Sequence, residues 1–186
     1  MAGGDGASDA SAPRDSGASA PPEPTRLADG ALLRRAEPAD GPELRRLYRA
    51  AMRAEGTDPA DVPDTDDLAD VGAAYVDPGG EFLVVESEGH IVAMGGLAVD
   101  GEDLADGEGE LFRIGVDTDH QRRGYGSAIL AGLEDAARER GLDRIVLTTA
   151  RRQAAATEFY PAHGYERVGR ERQGEYRLVR FAKSLE

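Results

Sequence analysis

LFRIGVDTDHQRRGYGSAIL, residues 111–130, is the stretch from which the fold is read. Glu110 to Val116 is rich in apolar residues and reads as a strand. Gln121-Arg122-Arg123-Gly124-Tyr125-Gly126 then places two glycines where the strand hands over to a helix. Ile129, Leu130, Leu133, Ala136 and Ala137 share one face of that helix, which ends at Gly141. A second apolar strand, Arg144–Thr149, follows. Strand, glycine loop, helix and strand form a βαβ unit, whose two strands are expected to be parallel with a right-handed crossover.

Working outward, Phe82–Glu86 and Ile91–Val99 are apolar strands joined by the turn Ser87-Glu88-Gly89. A loop rich in Gly, Asp and Glu covers 100–109. Upstream, Ala31–Arg34 reads as a short strand. Asp40 is expected to cap the next helix, with Pro42 in its first turn and Glu43 at the capping-box position. Leu44, Leu47, Tyr48 and Ala51 form the apolar face of that helix. Asp58–Asp70 reads as an acidic loop that enters a short helix near Leu68–Tyr75. Downstream, a helix is expected over Gln153–Tyr160. Pro161 should kink or end it, because proline lacks the N–H that would bond Thr157. Tyr165–Gly169 and Tyr176–Ala182 read as a closing hairpin. Residues 1–29 are mostly Ala, Gly, Ser, Pro and Asp without apolar periodicity, and read as a disordered acidic tail. Residues 30–186 then form a single domain.

The formal charge of -14 comes from 36 acids against 22 bases, and Lys183 is the only lysine. Such a surface repels polyanions, so nucleic acid is excluded as a general partner. No apolar run is long enough to cross a membrane, and the first 30 residues lack the apolar stretch of a secretory signal. Membrane partners are therefore excluded and a cytoplasmic location is expected. With no cysteine, disulfides, thiolate metal sites and thiol nucleophiles are closed. The acid excess with almost no lysine also suits a halophilic, high-salt cytoplasm. A GC-rich genome accounts for the missing lysine but not for the acids. Residues 1–120 carry 27 acids and 9 arginines, a net of -18, whereas 121–186 carry 9 acids and 13 bases, a net of +4. That cationic second part is either a site for an anionic ligand or a set of exposed arginines.

The glycine loop is the place where chemistry enters. Free amides at a helix N-terminus, with the positive end of its dipole, hold phosphate. Glycine allows close approach and positive φ. The loop is not a Walker A, since no Gly-Lys-Ser/Thr follows, and it lacks the third glycine of a dinucleotide fingerprint. Alone it is equally readable as a tight turn. The three histidines, His90, His120 and His163, have no metal-ligand spacing, and no metal is expected.

Gln-x-x-Gly-x-Gly at 121–126, after a strand ending Ile-Gly-Val, resembles the acetyl-CoA motif of the GNAT acyltransferase superfamily. Phe159-Tyr160-Pro161-Ala162-His163-Gly164-Tyr165 is similar to that superfamily's Phe-Tyr-x-x-x-Gly-Phe/Tyr signature. The stretch 111–130 is similar to the peptide-alanine N-acetyltransferase branch. The resemblance covers about residues 30–183. It implies an α/β fold, with a mixed, mostly antiparallel sheet of six or seven strands, parallel only at the βαβ unit, and helices on both faces. It also implies acetyl-CoA as co-substrate. Ile114, Gly115 and Val116 would pair with the pantetheine arm on a bulged, splayed strand. Gln121 belongs to the motif, and the amides of Arg122, Arg123, Gly124, Tyr125, Gly126 and Ser127 would hold the pyrophosphate. Gln153 stands where many relatives have a cofactor-touching Asn.

The reaction so implied is acetyl transfer to a primary amine, of a small molecule or a protein N-terminus, by direct attack. An amine of pKa near 10 must lose a proton, and the leaving thiolate departs faster if protonated. Tyr160 matches the tyrosine that faces the thioester sulfur, as the acid. The peptide-alanine enzymes place a Glu where this chain has Thr148. Glu110, at the spacing of the catalytic Glu of histone-type members, is the candidate base, or else one more acid of the run from Asp100. His120 and His163 are expected at the surface. The alternative is an acyl-CoA-binding sensor without turnover, kept open by Thr148. The acceptor stays unnamed, and a monomer or a homodimer fits equally.

Overall fold

The computed structural model of the chain describes residues 22–54, 56, 65–150, 154–173 and 176–186. Among the described residues eight strands form one sheet: β1 (Thr25–Arg26), β2 (Leu32–Arg35), β3 (Glu81–Ser87), β4 (His90–Ala98), β5 (Glu108–Val116), β6 (Arg144–Ala150), β7 (Glu166–Gln173) and β8 (Tyr176–Ser184). The α-helices α1 (Gly41–Ala54), α2 (Tyr125–Glu139) and α3 (Ala154–Ala162) accompany it. The strand order is β1-β2-β3-β4-β5-β6-β8-β7. Among the described residues only β5 and β6 pair in parallel, as expected for a βαβ unit.

The sheet has one or two strands more than expected. The extra one, β1, pairs Thr25 with Leu33 and Arg26 with Leu32, inside the segment that composition assigns to the tail. The region of Leu68–Tyr75 is a 3-10 turn, Asp66–Ala69, followed by a wide π-type turn, Gly72–Val76, rather than one helix. α3 ends at Ala162, with Pro161 in its last turn, where the lost bond is one of the few left to lose. Asp40 does not cap α1. It closes a 3-10 turn over Pro38–Asp40, and its carboxylate accepts from the Glu37 N–H at 2.7 Å and from Arg34 at 2.8 and 3.1 Å. Burial pushes the Asp40 carboxyl up, but the Arg34 and Glu37 donors outweigh it and hold the carboxyl below its ordinary value.

Strand alternation builds two cores. Leu83 and Val85 of β3 face one cluster with Ile129, Leu130 and Leu133 of α2, and with Tyr160 of α3. Phe82 and Val84 face the other, with Leu44, Leu47 and Tyr48 of α1. Between the strand start and the end of α2, the buried Glu81 carboxylate takes two bonds from Arg35, both 2.6 Å, and one from Arg140 at 3.2 Å.

Two irregularities position the site. Met94 pairs with Gly115 and Gly96 with Phe112, so Arg113 and Ile114 together oppose Gly95: a β-bulge. The parallel β5–β6 pairing runs from Glu108–Arg144 to Leu111–Leu147 and stops there. Beyond it the two strands splay, and Ile114–Val116 lack β6 partners.

Candidate active site

The splay opens into a cleft of about 370 Å³, within the range of small-molecule sites. One wall is Ile114, Gly115 and Val116 of β5. Thr149 of β6 and Ala155, Ala156, Phe159 and Tyr160 of α3 form the opposite side. Ala51 and Met52 from the end of α1 also line it. The start of α2 supplies Gln121, Arg122, Gly124, Tyr125, Gly126 and Ser127.

The loop conformation explains its residue types. Arg122 has φ 60° and Gly124 has φ 84°, so the backbone turns twice through the left-handed region before the helix begins. The first intrahelical bond runs from the Ala128 N–H to the Gly124 carbonyl, 2.9 Å. The N–H groups of Tyr125, Gly126 and Ser127 therefore precede the helical ladder, and together with the dipole they favour an anion there. At Gly126 a Cβ would already touch Val116 at 3.4 Å and the Phe159 ring at 3.5 Å, so any longer side chain would fill the cleft. Tyr125 buries its ring beneath the loop, and its hydroxyl donates to Asp29 at 2.6 Å. That bond holds the Asp29 carboxyl below its ordinary value.

The bulge is held by its own ion pair. Arg113 has φ 57°, a strained conformation for arginine. Its guanidinium donates twice to Asp67, both at 3.0 Å, and lies 4.6 Å from the Tyr48 ring centre. Tyr75 adds a third bond to Asp67, at 2.6 Å. The 3-10 turn is thereby fastened to the bulged strand beside the cleft.

Of the residues singled out in the sequence, Ile114, Gly115, Val116, Gln121, Arg122, Gly124, Tyr125, Gly126, Ser127 and Tyr160 are gathered at this cleft. Arg123 is exposed and outside its lining. Gln153 lies outside the described residues. Tyr160 is buried among Phe159, Tyr165 and Phe181, with ring centres 5.3, 5.7 and 5.8 Å away. Glu110 is half-buried on the paired part of β5, between Ala98 and Val146, and is not part of the cleft lining. Burial pushes its carboxyl above the ordinary range; Arg180 pulls it back, and Asp103, Glu171 and Glu108 add to the rise. Thr148 is exposed.

His163 corrects the sequence reading. It is half-buried and lines the cleft, with Nε2 2.9 Å from Ser127 Oγ and Nδ1 2.8 Å from the Phe159 carbonyl. The signal was its spacing, four residues or about one helical turn after Phe159, just past the end of α3. His120 is half-buried too, bonded to Asp117 at 3.0 Å and stacked on Tyr125. Among the described residues no group of three His, Asp or Glu could hold a metal ion, and no helix is long and apolar enough to cross a membrane.

Comparison with known proteins agrees with this geometry. The chain is 33% identical over 105 residues to mouse "Probable N-acetyltransferase family 8 member 5" and 32% identical to human N-acetyltransferase 8. These matches cover 56% and 55% of the chain and 46% of each relative, so they span about half the length of those relatives. Among solved structures, a GNAT-family acetyltransferase from Staphylococcus aureus Mu50 superposes with TM-score 0.74 at 20% identity, over 84% of this chain and 99% of that one. The ribosomal-protein-alanine N-acetyltransferase of Brucella melitensis gives 0.68 at 23% identity, covering 83% and 99%. The Salmonella typhimurium protein yncA, described with its cofactor acetyl-CoA, gives 0.68 at 22% identity, covering 84% and 94%. These identities establish a shared fold. The acetyltransferase (GNAT) family matches residues 42–165, and the chain belongs to that family.

Proposed function

We propose that this protein is an N-acetyltransferase that uses acetyl-CoA to acetylate a primary amine by direct attack. The observation that carries the reading is the pairing of free α2 amides with the unpaired edge of β5 in one cleft. The cleft fits the group on its own terms: an anion-holding helix start at one end and an extended, unpaired backbone edge at the other. Amides of Gly124–Ser127 would hold the diphosphate, and Ile114–Val116 would take the pantetheine amides as an added strand. The acetyl thioester supplies the activated acyl group. Tyr160, at the cleft wall, is the acid for the departing thiolate, and its aromatic packing fixes where the hydroxyl points. Glu110 is the base. Because it is not among the cleft-lining residues, it would act on the incoming amine through water. A backbone N–H at the bulge would stabilise developing negative charge on the acyl oxygen.

The test is release of free thiol from acetyl-CoA across a panel of amines, run beside a binding measurement. Thiol release that depends on an amine supports the enzyme. Binding without turnover on any amine would replace this reading by that of an acyl-CoA sensor, which the exposed Thr148 favours.

A further inference from the structure

His163 sits at the α3 end of the cleft, and its two ring nitrogens have different partners. Nδ1 faces the Phe159 carbonyl oxygen at 2.8 Å. A carbonyl only accepts, so Nδ1 carries a hydrogen. In the neutral ring Nε2 is then an acceptor, and the Ser127 hydroxyl, 2.9 Å away, donates its hydrogen to it. Ser127 is the third residue of α2, at the end of the run of free amides. In this state its hydroxyl turns a lone pair, not a hydrogen, toward an anion on those amides. A diphosphate diester is an acceptor everywhere and cannot supply the missing hydrogen.

We infer that His163 is a further residue of the diphosphate site and takes up a proton from solvent when that site is filled. The added proton sits on Nε2, which then donates to Ser127 Oγ. The Ser127 hydrogen is released toward a phosphate oxygen, and the imidazolium adds a positive charge beside the cleft. The one covalent change is the new Nε2–H bond, whose proton is given up by a buffer acid or hydronium in solvent; every other change is a hydrogen bond. The inference rests on the reading of the cleft as the acetyl-CoA site. Charged groups on the surrounding elements, among the described residues, include Arg122 and Arg123 before α2, Glu134 on α2, Glu158 on α3, Glu166 and Arg167 of β7, and Lys183 of β8. Lys183 passes Gly164 and is held by Glu134 of α2 at 2.7 and 2.8 Å. Ser127 and Phe159 are the hydrogen-bond partners of the imidazole among the described residues.

The experiment is calorimetry with dephospho-CoA, whose missing 3′-phosphate removes a group that would itself titrate near pH 6. Titrations between pH 6 and 8, in PIPES, HEPES and Tris, give the protons taken up from the dependence of the heat on buffer ionisation. The wild-type protein is expected to take up a fraction of a proton approaching one, with Kd rising by as much as tenfold per pH unit within the window. His163→Gln presents a permanent N–H to Ser127, and should bind with no proton uptake and a flat pH profile. Ser127→Ala should lose most of the uptake while keeping the imidazole. Binding by the wild type with no proton exchange and a flat Kd overturns the inference and leaves the acetyl-CoA reading standing. Unchanged uptake in His163→Gln overturns it as well. Failure of the wild type to bind dephospho-CoA or acetyl-CoA overturns the reading beneath it.

Discussion

Gly124→Glu is the perturbation that the phosphate loop makes most informative. Gly124 has φ 84°, and a Cβ built there meets nothing within 4 Å. The substitution is therefore free of clash, and its folding cost is the backbone strain of a left-handed residue, about 1–2 kcal/mol. Its effect on binding is electrostatic. A carboxylate roughly 6 Å from a diphosphate charge, at an effective dielectric of about 40, repels it by about 1.4 kcal/mol. That is about tenfold in Kd. Two companions separate the contributions. Gly124→Asn tolerates the left-handed region and adds no charge, so Kd should stay within about twofold of wild type. Gly124→Ala adds strain without charge and should fall between. The assay is calorimetric titration with acetyl-CoA, with a melting curve to verify folding. The charge effect should shrink in salt as the Debye length falls. If folded Gly124→Glu binds acetyl-CoA as wild type does, the diphosphate is not at this loop. If Gly124→Ala is as damaging as Gly124→Glu, the loop acts through its shape and not through its potential.

Tyr160→Phe keeps the ring packing and deletes the proton donor, so kcat should fall about 10² to 10⁴-fold with little change in acetyl-CoA affinity; full activity would remove Tyr160 as the acid. Glu110 works as a base only when deprotonated, and burial raises its pKa, so the acid limb of kcat/KM should lie above the ordinary carboxylate range. Glu110→Gln should lose that limb and regain part of its rate as pH rises and the amine deprotonates unaided, whereas an unchanged pH profile makes Glu110 a bystander. Glu81→Ala would leave two half-buried guanidiniums without their shared carboxylate, and a loss of about 3 kcal/mol should appear as a lower urea midpoint at constant slope. The Tm should rise from low to molar KCl, as the screening length falls from about 10 Å at 0.1 M to about 3 Å at 1 M; a flat Tm contradicts the halophilic reading.

The βαβ unit is legible in residues 110–149 because apolar runs, a double glycine and a helical face occur in an order that few folds accept. Residues 121–127 are legible for the same reason, as backbone chemistry leaves its mark through glycine. Pairs made by tertiary contact leave no such mark. Asp29 reads as tail until it meets the Tyr125 hydroxyl, 96 residues away. Asp40 has the sequence of a helix cap, yet Arg34 and Glu37 occupy its carboxylate. The resemblance implies a bulge on this strand, but its place at Arg113 is not legible, because it falls on an arginine instead of a glycine, held there by Asp67 and Tyr48. His163 is the instructive miss: its spacing from Phe159 was available, but its partner Ser127 lies on a different helix, 36 residues earlier.

The splay between β5 and β6 is the proposed acetyl-CoA site. The most direct test is a crystal structure of the protein grown with acetyl-CoA. Density is expected for the diphosphate on the amides of Tyr125, Gly126 and Ser127, for pantetheine along Ile114–Val116, and for the thioester sulfur facing the Tyr160 hydroxyl. Density for the cofactor elsewhere on the chain, or a thioester turned away from Tyr160, would contradict the proposal.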